Sequence, residues 1–382
     1  MKTVCQVNQC TGCMACVELC PKNAINIKDD LVSYNAVIDN TKCVECRACI
    51  KICQVNTPPI LKEPIYWKQG WAKKSNIREL SSSGGFATAL ELEFVKNFGS
   101  VCSCEFRNGK FLFTFAETEE EVKKFTGSKY VKSNPYGIYK IIKKKILNGE
   151  KLLFVGLPCQ VGAVINYVGE HDNLYTVDLI CHGTPSPFVL DRFLSSYNYK
   201  LTEIKDISFR TKNDFHLEGN RHIFAVPVNT DYYTRLFLDS VSYTENCYKC
   251  NYAQLKRVSD ITLGDSWGSE EDEETQKAGI SLALCQTEKG KMLLEHSDLR
   301  LLDVDLKRAI EYNHQLRHPS CMPNERERFL KELKKEKNFK KVMRKCYPKV
   351  YYKNIVKTIL YKCKIYRGGG YNLIYVISID NS

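Results

Sequence analysis

The sequence has no apolar run of about 18–20 residues, so it predicts no transmembrane helix. Its first residues lack the apolar stretch of a secretory signal, which makes a cytoplasmic, intracellular location the expectation. Hydrophobic residues make up 43% and charged residues 26% of the 382. This balance excludes collagen-like, mucin-like and wholly disordered chains. The length predicts two or three domains, each able to bury a core.

Acidic residues are fewer than basic ones, and the deficit is local. Lys and Arg number 56 against 44 Asp and Glu, a difference of 12. Residues 324–367 alone hold 16 basic and 4 acidic residues, again a difference of 12, so the rest of the chain is balanced. No nucleic-acid-binding motif accompanies this charge, and no nucleic-acid partner is expected.

This basic tail has apolar residues at helical spacing between Phe329 and Met343. Three interpretations are open for it. The tail covers its own domain as a solvated helix, contacts an acidic partner, or makes a peripheral contact with an anionic membrane surface.

Cysteine is abundant, and its spacing carries the strongest signal. The total of 19 is odd, which a pure disulfide framework does not explain. Nine cysteines fall in the first 53 residues, a density that indicates metal binding in a reducing compartment. Eight of them form two copies of one pattern, Cys10-x-x-Cys13-x-x-Cys16-x-x-x-Cys20 and Cys43-x-x-Cys46-x-x-Cys49-x-x-x-Cys53.

The two copies predict two 4Fe-4S clusters with interleaved ligands. Three thiolates at intervals of three wrap one cube, and the fourth reaches the neighbouring cube in two-cluster ferredoxins. One cluster would therefore be bound by Cys10, Cys13, Cys16 and Cys53, and the other by Cys20, Cys43, Cys46 and Cys49. Two zinc sites are the alternative, because C-x-x-C pairs also bind zinc. Cys5 has no place in the pattern and is expected to be a small core residue.

Residues 5–56 resemble the bacterial two-cluster ferredoxin domain. Pro21 follows the first motif, but Gln54 stands where the family usually has proline, a departure expected to affect the turn and not the ligands. A ferredoxin module on a larger chain carries single electrons, so a redox partner protein or electron carrier is expected.

The central region, from Tyr66 onward, alternates apolar runs with helical spacing. Residues 86–98 predict a helix, and residues 151–156 and 174–181 predict buried strands. The fold class is therefore mixed α+β or α/β, a sheet with helices packed on it.

Four more cysteines in this region could bind a metal. Cys159 and Cys181 each follow an apolar run, where a strand would end at a crevice, and Cys247 and Cys250 form a C-x-x-C pair. The pattern indicates a third cluster or a zinc site. Unrelated buried thiols with a chance pair are the structural alternative.

Three short motifs carry phosphate-binding residue types, namely Ser81 to Gly85 before a helix, Thr126 to Lys129, and the strand end at Gly264 and Asp265. An ordinary helix cap, a polar turn and a hairpin end are their respective alternatives. Arg210 and Lys212 could hold an anionic group or be strand-end charges. His182 could donate a proton or make a structural hydrogen bond.

Seven motifs occur in an order that resembles the beta subunit of the hydrogenases and dehydrogenases that use a deazaflavin coenzyme, coenzyme F-420. They are Ser82-Ser-Gly-Gly, Thr126-Gly-Ser-Lys-Tyr, Gly156-Leu-Pro-Cys-Gln, Cys181-His-Gly-x-Pro, Ser208-Phe-Arg-Thr-Lys, Cys247-x-x-Cys250 and Leu263-Gly-Asp-x-Trp. The resemblance implies FAD and a third 4Fe-4S cluster, with Cys159, Cys181, Cys247 and Cys250 as its ligands. It also implies a flavin site formed by Ser83, Gly84, Gly85, Thr126, Ser128, Lys129, Gly264, Asp265 and Trp267.

The resulting organisation has three parts: a two-cluster ferredoxin domain at 1–58, a domain for FAD and iron–sulfur at 66–322, and a basic tail at 323–382. A proline-rich linker over 57–65 joins the first two. We expect an oxidoreductase that passes electrons between the clusters, FAD and a small-molecule substrate or coenzyme. The alternatives are a non-catalytic electron-transfer adaptor, and a basic interaction protein whose clusters are structural.

Overall fold

The computed structural model describes residues 2–212, 214–225 and 229–365. The end of the predicted tail, residues 366–382, lies outside the described residues. The strands are β1 (Ile25–Asp29), β2 (Tyr34–Ile38), β3 (Tyr66–Ala72), β4 (Ser100–Arg107), β5 (Lys110–Ala116), β6 (Leu152–Gly156), β7 (Leu174–Leu179), β8 (Ile207–Ser208), β9 (Glu218–Gly219), β10 (His222–Ile223), β11 (Ile261–Asp265), β12 (Ser281–Cys285) and β13 (Leu299–Leu302).

The α-helices are α1 (Ala15–Leu19), α2 (Ala48–Ile52), α3 (Ser75–Leu80), α4 (Phe86–Asn97), α5 (Glu119–Val122), α6 (Tyr139–Leu147), α7 (Pro158–Val168), α8 (Pro187–Ser195), α9 (Tyr232–Leu238), α10 (Glu273–Lys277), α11 (Glu288–His296), α12 (Leu306–Tyr312), α13 (Glu325–Lys335), α14 (Phe339–Cys346) and α15 (Pro348–Lys362). In the part of the chain that the structure describes, no helix combines the length and the apolar character needed to cross a membrane.

One large mixed sheet organises the chain, in the order β13-β3-β12-β11-β7-β6-β4-β5. Its centre is parallel, because β11, β7, β6 and β4 run the same way, and antiparallel strands flank that centre. Every residue of β6 is buried, as expected for a strand covered on both faces. The predicted strands at 151–156 and 174–181 are confirmed as β6 and β7, the predicted helix as α4, and the mixed fold class with them.

Helices cover both faces of this sheet. On one face, α4 and α11 pack over apolar residues of the central strands, including Leu153, Val177 and Ile261. On the other face, α6 and α7 cover Leu152 and Phe154. Because β6, β7 and β11 are parallel neighbours, they end together, at Gly156, Leu179 and Asp265. We call this edge of the sheet the carboxyl edge.

Residues 2–57, which we call the small unit, contain a two-stranded antiparallel sheet, β1-β2, and two five-residue helices. This unit docks on α6 and α7. The Tyr139 hydroxyl donates to the carbonyl of Cys13, and the Glu18 carboxylate accepts from the amides of Gly137 and Lys140 at 2.7 and 2.8 Å. The docking brings the cysteine loops to the second face of the sheet.

The basic tail packs on its own chain through α13 and α14, whose apolar side chains join those of α8 and α9 in one core. Arg326 is buried there and donates to the carbonyls of Val32 and Tyr243, both at 2.9 Å. The first of the three interpretations thus describes the tail as far as α14. Helix α15 differs, since it buries no residue and exposes Tyr352, Val356 and Ile359.

Candidate electron-transfer site

An inner cavity lies between the first cysteine loop and the strands of the small unit. Five thiols line it, those of Cys5, Cys10, Cys13, Cys16 and Cys53, and each of these residues exposes 8% or less of its surface. The structure thus gathers three cysteines of the first motif with the last one of the second. This is the first of the two interleaved sets expected from the spacing.

An outer cavity holds the other interleaved set, Cys20, Cys43, Cys46 and Cys49. Cys46 is exposed and the other three are half-buried. The neighbouring Val44 exposes 59% of its surface, so this cavity opens at the protein surface. All 19 cysteines lie in the described residues, and each is a free thiol.

The same backbone turn supports both cavities. The amide of Gly12 lies 3.4 Å from Cys10 Sγ, and the amide of Glu45 lies 3.4 Å from Cys43 Sγ. Gly12 has φ 73°, and a Cβ there would lie 2.6 Å from the Tyr34 ring, so the inner loop requires glycine. Amides directed at sulfur stabilise thiolates, the form that binds iron.

The pKa values of the inner thiols are shifted in opposite directions, because burial dominates at Cys13 and hydrogen bonding dominates at Cys10 and Cys53. Burial raises the pKa of Cys13 to about 12, whereas a hydrogen bond with Cys5 lowers the pKa of Cys10 and lowers that of Cys53 to about 6. The same contact raises the pKa of Cys5. Cys5 is buried, as the sequence predicted, but it also lies among the inner thiols, a position that its spacing did not indicate.

The central cysteines also come together, at the carboxyl edge. Cys159 lies in the first turn of α7 directly after β6, and Cys181 follows β7, the neighbouring parallel strand. Cys247 lies within the 3-10 helix Glu245–Lys249, and Cys250 is its C-cap. Burial raises the pKa of Cys159, and the charges of Cys250, Cys181 and Cys247 raise it further, which places the four thiols in one electrostatic neighbourhood.

Polar groups hold this central tetrad in place. The hydroxyl of Thr244 lies 3.6 Å and the amide nitrogen of Asn246 lies 3.7 Å from Cys247 Sγ. Arg257 is fully buried, forms an ion pair with Asp178 at 3.0 Å, and donates to the carbonyl of Tyr252. Because Asp178 belongs to β7 and Tyr252 follows Cys250, Arg257 fixes the Cys250 loop to the strand before Cys181.

Within residues 2–212, 214–225 and 229–365, no group of three or more Cys, His, Asp or Glu side chains is placed so that it could hold a single metal ion. A 4Fe-4S cube does not require such convergence, because each of its four thiolates binds a different iron.

A hydrogen-bonded junction joins the inner cavity to the central tetrad. Gln54 Nε2 donates to Thr11 Oγ1 at 2.9 Å, and the Tyr252 hydroxyl donates to Gln54 Oε1 at 2.7 Å. Gln54 exposes only 2% of its surface. The expectation that Gln54 affects only the turn was therefore incomplete, since its side chain spans two parts of the chain that are 198 residues apart.

The residues assigned to the flavin lie largely at the same edge. Ser83 belongs to the loop Ser81–Gly85, which we call the serine–glycine loop, and its hydroxyl donates to the carbonyl of Ile280 at 3.0 Å. A Cβ on Gly84 would lie 2.4 Å from the carbonyl oxygen of Gly70, so this loop packs against β3 only with glycine there. Gly85, at φ 91°, is the N-cap of α4, and the amide of Ser128 donates to Ser82 Oγ at 2.9 Å.

Cations surround the serine–glycine loop. Lys212 Nζ donates to the carbonyls of Ser81 and Ser83 at 2.8 and 2.9 Å, and burial lowers its pKa to about 8. The guanidinium of Arg210 pairs with both carboxylate oxygens of Asp265 at 2.6 and 2.9 Å. Arg210 is buried and Lys212 is half-buried, so neither is a strand-end surface charge.

The remaining residues that the sequence assigned to the flavin make the following contacts. Trp267 has its ring 5.6 Å from the Arg210 guanidinium carbon, and Thr126 offers its carbonyl to Lys129 Nζ at 3.1 Å. The Lys129 ammonium also donates to the carbonyl of Phe125 and lies in the field of Glu91. Gly264 packs against Ile180, where a Cβ would lie 2.5 Å from the Ile180 side chain.

His182 is half-buried, and its ring meets that of His314 at 5.6 Å. Burial and the charge of His314 lower the pKa of His182 to about 4, so its ring is neutral at pH 7. A neutral ring favours the structural role weighed for this residue over donation from an imidazolium.

Comparison with known proteins gives two domain matches. Residues 149–304 match the family described as the C terminus of the coenzyme F420 hydrogenase/dehydrogenase beta subunit, and residues 9–57 match the 4Fe-4S dicluster domain. No curated protein matches the sequence. A solved structure, the xenon-derivatised F420-reducing NiFe hydrogenase complex from Methanosarcina barkeri, has a chain that is 20% identical with a TM-score of 0.46, over 67% of this chain and 91% of that chain.

Proposed function

We propose that this chain is an FAD-dependent oxidoreductase that transfers electrons through iron–sulfur clusters. Residues 149–304, which match the C terminus of the coenzyme F420 hydrogenase/dehydrogenase beta subunit, and residues 9–57, which match the 4Fe-4S dicluster domain, support the proposal. In this proposal, electrons pass between an external one-electron carrier and a two-electron substrate or coenzyme. They travel by way of the outer, inner and central cysteine sites and FAD. We assign this function to a cytoplasmic protein with the predicted domains 1–58 and 66–322 and the basic tail 323–382.

The arrangement of the three cysteine sites carries the proposal, and we infer that they form a row from the outer cavity through the inner cavity to the central tetrad. The outer cavity opens at the surface, where a partner can deliver or take an electron. The inner cavity is buried, and the Thr11, Gln54 and Tyr252 junction joins it to the central tetrad. Clusters in this order would let single electrons pass between a partner at the surface and the buried central site.

The donor sets fit 4Fe-4S cubes. Each site offers at least four thiols, and four is the number that such a cube needs. Amides at 3.4 Å from Cys10, Cys20 and Cys43 would stabilise the thiolate ligands. The raised pKa of Cys13 means that deprotonation there is coupled to metal uptake.

The serine–glycine loop fits the anionic part of a dinucleotide. It opens the twelve-residue helix α4, and a helix N-terminus favours negative charge. Arg78, which stacks on Trp71 at 4.3 Å, and Lys212 supply positive charge beside it. FAD bound there would couple two-electron chemistry to one-electron transfer.

The chain's own residues orient this site. The Arg210–Asp265 pair fixes the end of β11, and Ile180 donates its amide to the carbonyl of Leu263 at 2.8 Å in the neighbouring strand. Since Cys181 is the next residue, the central tetrad lies beside the end of β11. The geometry favours electron exchange between the central site and a flavin at the carboxyl edge.

Anaerobic purification with iron, sulfide and flavin quantified together tests the proposal. We expect about twelve irons per chain, the content of three cubes, and one FAD. Cys159→Ser should lower the iron by about four and leave the ferredoxin-type electron paramagnetic resonance (EPR) signal intact. Brown protein without flavin would favour the adaptor, and zinc alone would overturn both.

A further inference from the structure

A buried lysine lies between the inner cavity and the central tetrad. Lys132 exposes 6% of its surface, and its ammonium donates to the carbonyl of Thr11 at 3.1 Å. Thr11 lies in the loop between Cys10 and Cys13. The Lys132 ammonium also lies 5.2 Å from the centre of the Tyr34 ring.

The backbone of Lys132 is bonded to a segment beside the central tetrad. Its amide donates to the carbonyl of Pro185 at 2.9 Å, and the hydroxyl of the preceding Thr184 lies 3.9 Å from Cys247 Sγ. A second contact joins the neighbours of Lys132 and Cys159. The side chain of Gln160, the residue after Cys159, donates to the hydroxyl of Ser133, the residue after Lys132, at 2.9 Å. Lys132 is thus the cation common to both tetrads.

Lys132 lacks a conventional counter-ion. Among the residues that the structure describes, no carboxylate lies within ion-pair distance of its Nζ. The nearby Arg257, also buried, has Asp178 at 3.0 Å. A buried charge without a partner is strongly unfavourable, so the negative charge that balances Lys132 has to come from the thiolate sites on either side of it.

We propose that Lys132 is the shared counter-ion of the inner and central 4Fe-4S sites, and that its charge raises the reduction potentials of both. The inference rests on the proposed function, because it requires clusters at both tetrads. Reduction adds one negative charge to a cluster, and a fixed ammonium in a buried, poorly screened position favours that charge. The outer cavity has Lys22 and Arg47 at its rim, but both are exposed and screened by solvent.

An EPR-monitored redox titration of the full chain tests this role. Lys132→Met removes the charge at similar length, and we expect lower midpoint potentials for the inner and central clusters with the outer cluster unchanged. Lys132→Arg keeps the charge and should leave all three close to those of the natural protein. Lys22→Met is the matched control, because it removes an exposed charge beside the outer cavity and should shift no potential comparably.

The outcomes separate the inference from its premise. Full iron content in Lys132→Met with unshifted potentials overturns the counter-ion role and leaves the proposed function standing. A natural protein without iron overturns the proposed function itself. If Lys132→Met loses the two clusters while Lys132→Arg keeps them, the charge is required; loss from both variants indicates a packing role and contradicts the inference.

Discussion

The two cysteine loops of the small unit have one sequence pattern and opposite surroundings. Both enter a five-residue helix through a left-handed residue, Met14 at φ 63° in the first and Arg47 at φ 57° in the second. Helix α1 buries Ala15, Cys16 and Glu18, whereas α2 buries none of its residues. The first copy of the repeat is therefore packed inside the molecule, and the second copy lies at the surface.

The difference shows that contacts made by the rest of the chain, and not the motif, decide whether a cysteine loop is buried or accessible. At the inner loop, Glu18, Gln54 and the carbonyl of Cys13 make the contacts with the sheet domain. At the corresponding part of the outer loop, Glu45 pairs with Lys2 at the surface. Cluster-binding chemistry is therefore common to both loops, while accessibility and coupling are not.

Removing one ligand from each set gives the largest expected effect. Cys20→Ser should remove the outer cluster although Cys20 belongs to the first motif, and Cys53→Ser should remove the inner one. Each variant should lose about four irons per chain, and only Cys53→Ser should also weaken docking of the small unit. Iron analysis with limited proteolysis checks this; loss of the inner signal in Cys20→Ser would refute the interleaving.

Buried and exposed ion pairs extend the comparison. Arg257→Met leaves Asp178 unpaired in the core, and we expect the free energy of unfolding to fall by roughly 3–5 kcal/mol. Tryptophan fluorescence during urea unfolding measures it. Adding Asp178→Leu should recover much of the loss; no recovery would mean that Arg257 acts through its bond to the Tyr252 carbonyl instead.

The junction at Gln54 should have an intermediate effect. Gln54→Pro introduces the residue usual in ferredoxins, but it removes the bonds to Thr11 and Tyr252 and should cost roughly 1–3 kcal/mol. Tyr252→Phe breaks only one of the two bonds and should cost less. Urea unfolding ranks the two variants; an unchanged or more stable Gln54→Pro protein would show that the junction adds nothing.

The exposed pair at the outer loop should matter least. Lys2 and Glu45 lie 2.8 Å apart with both side chains in solvent, and Lys2 lowers the pKa of Glu45. Water and salt weaken such pairs, so Lys2→Met should leave the melting temperature unchanged within error. A drop comparable to that of Arg257→Met would contradict the proposed contrast between the two loops.

Local pattern was enough to predict much of the fold. Apolar runs gave β6 and β7, helical spacing gave α4, and the cysteine spacing gave the two interleaved sets that line the two cavities. Cys159 and Cys181 were expected at strand ends, where they do lie. These features depend on neighbours that are close in sequence.

The residues that connect the sites could not be predicted in this way. Lys132 carries no motif, and its significance comes from contacts with Thr11 and Pro185. Gln54 looked like a local departure because its partner Tyr252 is 198 residues away. Cys5 lay outside the repeat but reaches the inner cavity by pairing of the chain start with β2, where the Val4 amide donates to Ala36 at 2.9 Å.

The central claim, a row with the inner site in the middle, is tested most directly by EPR of the fully reduced protein and its Cys20→Ser and Cys53→Ser variants. Neighbouring reduced clusters split each other's signals. We predict that Cys53→Ser abolishes the splitting of both remaining signals, whereas Cys20→Ser leaves the inner and central clusters coupled. Coupling between the outer and central clusters that persists in Cys53→Ser would contradict the row.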